Sequence, residues 1–268
     1  MQQETRTMKR TRKNKVAGVL GVLAAALSLG AQVVSAAPVT FAQFTQRGAD
    51  NLFFFTNLTT SAQIYVPSDG VPVDFFFSNI TGLPAELGTN QAHLFWTAAT
   101  TNHVFAGPGN TLFQPFQSPG PNKMIIIRDT PASFGNGGRT NLLTIEYTGI
   151  IFGQKGANST TGNASTGAGN LVTLTSDFLD FSGTFTRDMS VSFTSLLPSL
   201  DTNGFFLLSF SAAGTGTFSS EPAPVIIPEP GSAALFVAGL LGFWPSRRRR
   251  VSYGAEIHSG ANAAGALS

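Results

Sequence analysis

Phe181-Ser182-Gly183-Thr184-Phe185 and, six residues further on, Val191-Ser192-Phe193 carry the pattern that decides the fold class of this chain. Apolar and small hydroxyl-bearing residues alternate in both. A repeat of two lets one face meet a core while serine and threonine meet water, which is the signature of a half-buried strand. Working outward, short runs rich in Phe, Ile, Val, Leu and Thr recur between clusters of Gly, Pro, Asn and Asp. The reading predicts strands at 39–44, 52–56, 63–66, 73–78, 93–97, 124–128, 142–148, 171–174, 179–186, 190–194, 205–211 and 216–219. Residues 153–169 are polar and Gly-rich, and read as a long exposed or decorated loop. No helical apolar stripe runs beyond a turn or two between the chain's two ends. The expected fold is therefore all-β, an antiparallel β-sandwich of jelly-roll type.

Composition narrows the function. The chain has 268 residues and a formal charge of +2, but the positive charge sits at its ends. Residues 38–227 hold six basic and eleven acidic side chains, a net of −5. A nucleic-acid footprint needs a basic patch, so that class of partner is excluded for this region. Cysteine is absent, which removes disulfides, thiol chemistry and thiolate metal sites. Stability must come from apolar burial, and the 24 phenylalanines are the material for it.

Few residues suggest chemistry. His93 and His103 lie too far apart in sequence to share one strand or helix face as metal ligands. Glu146, Asp177, Asp180 and Asp188 are the carboxylates that could form a glycosidase pair or a calcium site. Asp177-Phe178-Leu179-Asp180 is too sparse for a calcium loop, so structural calcium stays a minor alternative and no cofactor is expected. No Gly-x-Ser-x-Gly motif occurs in the region, and no catalytic residue is assigned. Asn57, Asn79, Asn158 and Asn163 each begin an Asn-x-Ser/Thr triplet. Trp96, Tyr65 and Tyr147 are the residues a sugar could stack on, should the sandwich be a carbohydrate-binding module.

The two ends carry an address. Arg6, Lys9, Arg10, Arg12, Lys13 and Lys15 precede an apolar stretch at 16–29, and Val34-Ser35-Ala36-Ala37 closes it with small side chains. That layout is a secretory signal peptide over residues 1–37, a substrate for the secretory translocon and signal peptidase. At the other end, the proline-rich stretch 221–230 leads through Pro228-Glu229-Pro230 into an uncharged apolar run at 231–244, and then to Arg247-Arg248-Arg249-Arg250. As a helix the run spans about 21 Å, short of a hydrocarbon core of about 30 Å. The arginines obey the positive-inside rule, and their long stems snorkel to extend the span. Residues 231–250 therefore read as a membrane anchor with a basic flank, 221–230 as a stiff stalk, and 38–220 as the sandwich domain.

This ordered tail, with an export signal at the opposite end, resembles a PEP-CTERM sorting signal, the C-terminal tag that exosortase-type membrane proteases recognise. The resemblance covers about the last forty residues plus the signal peptide. The chain differs from the pattern in Pro245, which precedes the arginines, and in continuing as a tail over 251–268. The resemblance implies an exported protein, anchored in the membrane and clipped near Pro228-Glu229-Pro230, then placed at the cell surface or in an extracellular polysaccharide or biofilm matrix. The expected role is non-catalytic, with the carbohydrate-binding surface module as the alternative.

Overall fold

The computed structural model describes residues 37–117, 122–133 and 138–227. The signal segment, Pro228-Glu229-Pro230, the apolar run, the arginine cluster and the tail to Ser268 lie outside the described residues, as do both terminal helices expected there. Among the described residues the strands are β1 (Val39–Gln46), β2 (Phe53–Asn57), β3 (Ala62–Tyr65), β4 (Val71–Phe77), β5 (Thr89–Thr100), β6 (Phe105–Ala106), β7 (Thr111–Phe116) and β8 (Asn122–Ala132). They continue with β9 (Arg139–Tyr147), β10 (Gly149–Gln154), β11 (Thr160–Ser165), β12 (Val172–Thr175), β13 (Leu179–Asp180), β14 (Thr186–Leu197), β15 (Phe210–Glu221) and β16 (Val225–Ile226). The fold is all-β and antiparallel, as the alternating pattern requires.

Fourteen strands join one sheet, in the order β12-β9-β8-β5-β3-β2-β15-β14-β11-β10-β7-β6, with β4 and β1 bridging β5 and β15 as a second path. The two long strands make this possible. β5 pairs with β4 along its first half and with β3 along its second. β15 pairs with β2 through Phe210 to Ala212 and with β1 through Thr215 to Ser220. At that change of partner the Gly214 amide would lose its acceptor; instead the Gln46 side-chain oxygen accepts from it at 3.1 Å. A buried amide left bare costs about 1–3 kcal/mol, which is why a glutamine is buried at this crossing.

Ring contacts show that the sheet doubles back on itself. Trp96 of β5 stacks on Phe193 of β14 with centroids 5.6 Å apart, although three strands separate them along the hydrogen-bonded path. Phe55 of β2 likewise meets Phe116 of β7 edge-on at 6.3 Å. The result is sandwich-like, two inner faces packed on a single core. Nine of its twelve largest fully enclosed side chains are phenylalanine. Each such burial is worth about 1.5–3 kcal/mol, and edge-on or offset ring pairs add about 0.5–1.5 kcal/mol. β4 shows the alternation plainly: Val71, Val73, Phe75 and Phe77 point inward while Pro72, Asp74 and Phe76 are half-buried.

Three sequence expectations are corrected. Of the strand expected at 179–186, only Leu179–Asp180 and Thr186, the first residue of β14, pair. The Asp180 carboxylate accepts from the Ser182 amide at 2.8 Å and bends the chain into a turn, leaving Phe185 83% exposed. The alternation in Phe181-Ser182-Gly183-Thr184-Phe185 is thus a coincidence of a turn, whereas Val191 and Phe193 do point inward around an exposed Ser192. The supposed loop at 153–169 contains β11, a central strand between β10 and β14. Its inward residues, Thr160, Gly162 and Ala164, are small because large side chains face them, with the Phe193 ring 3.6 Å from where a Gly162 side chain would begin. The strands expected at 205–211 and 216–219 are one strand that starts only at Phe210, after a loop closed by a Thr202–Leu207 bridge.

Candidate functional site

The described residues end at Ile227, one position before Pro228. Glu221 closes β15, and the following prolines do not stand off as a stalk. The Ser220 hydroxyl donates to the Pro222 carbonyl at 2.9 Å, and Phe185 donates its amide to the Glu221 carbonyl at 2.6 Å. β16 then pairs with β13, Ile226 opposite Leu179 and Val225 opposite Asp180. A last backbone bond runs from the Ile227 amide to the Phe178 carbonyl at 2.9 Å. Phe178 and Leu179 are core residues, so this two-residue strap is tied to the interior of the domain. The stalk boundary read from the prolines at 221 is corrected accordingly: the chain is held to the body as far as Ile227, the residue before Pro228.

The strap forms one wall of a groove of about 680 Å³. Leu174, Leu179, Phe181, Val225 and Ile226 supply apolar surface, and Asp180 and Arg187 stand among them. Among the described residues every partner of the Arg187 guanidinium is a neutral oxygen: the Thr184 hydroxyl at 2.9 Å and the carbonyls of Phe181, Thr184 and Val172 at 3.1, 3.4 and 3.5 Å. Among the described residues the Asp180 carboxylate is bonded to Ser182 alone, through its amide and its hydroxyl. The Ser182 amide first, and its hydroxyl second, hold the Asp180 carboxyl below the usual carboxylate range, so it is charged at neutral pH. The groove therefore presents one cation and one anion that do not neutralise each other, above an apolar wall.

The residues singled out for sugar stacking are dispersed. Trp96 and Tyr147 are corrected to core positions, each only 3% exposed, and neither offers a ring face to a ligand. The signal was present: Ala92, Leu94 and Trp96 share one face of a period-two strand, which puts the tryptophan inside with the leucine. Only Tyr65 reaches the surface, 43% exposed, with its ring stacked on Phe54 at 5.3 Å. A second surface array, missed in the sequence, runs across β6, β7 and β10, where Phe105, Phe113 and Phe152 stack at 5.1 and 6.0 Å.

The remaining candidates serve the fold. His93 Nδ1 lies 2.8 Å from Asp129, which also accepts from Arg47 at 3.1 Å, while His103 packs edge-on against Phe205 and Phe206. Asp177 accepts from the amides of Thr140 and Asn141, Glu146 pairs with Lys123 at 3.2 Å, and Asp188 accepts from the Ser165 hydroxyl. Asp177 and Asp180 thus organise separate turns. Among the described residues no three His, Asp or Glu side chains are grouped so as to hold a metal ion, and no helix is long and apolar enough to cross a membrane. Arg187 was not singled out by the sequence; its mark was being one of only six cations in residues 38–227.

Comparison with protein-family models, curated proteins and solved structures found no match in any of the three.

Proposed function

We propose that this is an exported, non-catalytic protein of the cell envelope or extracellular matrix, sorted by its C-terminal tail. In this reading the secretory translocon and signal peptidase handle residues 1–37, and the run at 231–244 enters the membrane as a helix with Arg247-Arg248-Arg249-Arg250 on the cytoplasmic side. An exosortase-like protease then cuts near Pro228-Glu229-Pro230, leaving the jelly-roll-like body at the cell surface. The observation that carries the reading is the order of the tail: acid between prolines, uncharged run, arginine cluster. The body's last strand, which ends just before Pro228, is consistent with a motif set at a domain boundary.

Replacing Arg247 to Arg250 with glutamine tests it. Retention in the membrane fraction and appearance of the shortened surface form should both fall. Intact mass of the surface form gives the cut site, expected near Pro230. An unchanged fractionation pattern, or a surface form that retains Ser268, overturns the sorting role.

Carbohydrate binding is kept as a second reading because exposed Tyr65 stacks on Phe54, leaving an aromatic face at the surface. Glycan-array binding that is lost in a folded Tyr65→Ala variant would support it, and no binding to any glycan removes it.

A further inference from the structure

We propose that the groove beside the strap binds one zwitterionic phospholipid, its phosphate on Arg187, its ammonium on Asp180, and its first acyl carbons along Leu179, Val225 and Ile226. The inference rests on the anchored reading above and adds to it a ligand for the body itself.

Position is the first support. Ile227 lines the groove and is the last described residue; the apolar run begins four residues later at Gly231. Even fully extended, four residues reach only about 14 Å. An anchor in lipid therefore holds this groove within about 14 Å of the start of the apolar run, near the membrane surface. Chemistry is the second. A pocket of about 680 Å³ falls in the range that takes small organic ligands, and its wall is mainly apolar. Its two charges have opposite sign and no ionic partner among the described residues, with Arg187 on four neutral oxygens and Asp180 on Ser182. A purely anionic lipid satisfies Arg187 but meets Asp180 as a like charge. A headgroup carrying phosphate and ammonium answers both. The body's net charge of −5 also disfavours a generally anionic surface, so selectivity must come from this local pair.

The test uses the full chain in maltoside micelles, titrated with dioleoyl phosphatidylethanolamine or dioleoyl phosphatidylglycerol and read by native mass spectrometry. One ethanolamine-lipid adduct should form, favoured over the glycerol lipid by about fivefold, the factor a single headgroup-level charge contact is worth. Asp180→Asn keeps an acceptor for the Ser182 amide and should erase that preference. Arg187→Gln should weaken both lipids by about fivefold. Because Arg187 also braces the turn at 181–184, Val225→Glu provides a second variant at an exposed groove residue, and it too should weaken both. Equal adducts with the two lipids, or adducts unchanged in Asp180→Asn and Val225→Glu, overturn the groove as the site. Carbonate extraction of membranes separates the two failures. A chain that stays in the pellet with unchanged adducts sinks only the groove; an uncut chain, its mass reaching Ser268, released to the supernatant sinks the anchored reading and, with it, the proposal.

Discussion

The Trp96 indole N–H donates to the Tyr147 hydroxyl at 2.8 Å, with both side chains only 3% exposed. Trp96 stands on β5 and Tyr147 on β9, with β8 between them, so one buried bond spans three strands. Around it Trp96 also stacks on Phe193 and receives Phe53 edge-on. Removing one partner strands the other in a dry interior. Tyr147→Phe should destabilise the fold by about 1–3 kcal/mol. Trp96→Phe should cost more, because it leaves a cavity as well as an orphaned phenol. The double variant should lose less than the sum of the two, as side chains sharing one bond do. Denaturant unfolding of the three variants measures this, and strict additivity would contradict it.

The same pair predicts an alkaline limit. Burial raises the Tyr147 phenol well above its ordinary value of 10.0, outweighing the lowering effect of the Trp96 bond. A folded-state pKa above the unfolded one means that the unfolded chain gives up its proton first. Stability is then complete below about pH 10 and falls as pH rises past it. Phenolate absorbance from Tyr147 should appear together with loss of tertiary structure. In Tyr147→Phe the slope of stability against pH above 10 should be shallower.

The period-two signal located most strands because one face of each is buried and the other wet. β4 and the central part of β14 follow it residue by residue. It failed where burial uses small side chains. Thr160, Gly162 and Ala164 look polar and loop-like, yet they lie inward, where the Phe193 ring lies against Gly162. It failed again at Phe181 and Phe185, where a local Asp180–Ser182 bond overrides alternation. Trp96 was readable as core from Ala92 and Leu94, but an isolated tryptophan also suits a sugar platform. The groove was not legible, since Leu174, Arg187 and Val225 come from distant strands that only the topology brings together.

Phenylalanine over glycine is the second packing device. A methyl group on Gly216 would lie 2.3 Å from a Phe44 ring carbon, and Phe44 is itself wedged against Phe53 and Phe218. That ring has nowhere to swing. Gly216→Ala should destabilise by about 1–3 kcal/mol through overpacking. Gly48 provides the control: its φ is +86° but nothing lies within 4 Å of the added methyl. Gly48→Ala should therefore cost only the backbone strain, about 1 kcal/mol. Melting curves of both variants should rank them in that order.

The strap should open before the body does. β16 has only two residues, Val225 is 61% exposed, and its docking rests on Leu179, Phe178 and the half-buried Ile226 side chain. Such short, peripheral pairings sit at the low end of local stability. Ile226→Asp puts a charge where the side chain packs against the core, so the strap should detach while the sheet persists. Thermolysin, which cuts before Val, Ile, Leu and Phe, provides the readout. The wild-type chain should resist early cleavage at Val225 and Ile226. In Ile226→Asp, with one such residue removed, an early cut should appear at the bond before Val225, with little change in the unfolding midpoint of the body. Early cleavage before Val225 in the wild type as well would mean that the strap is not held to β13 in solution. A collapse of the midpoint in the variant would mean that it is part of the cooperative core.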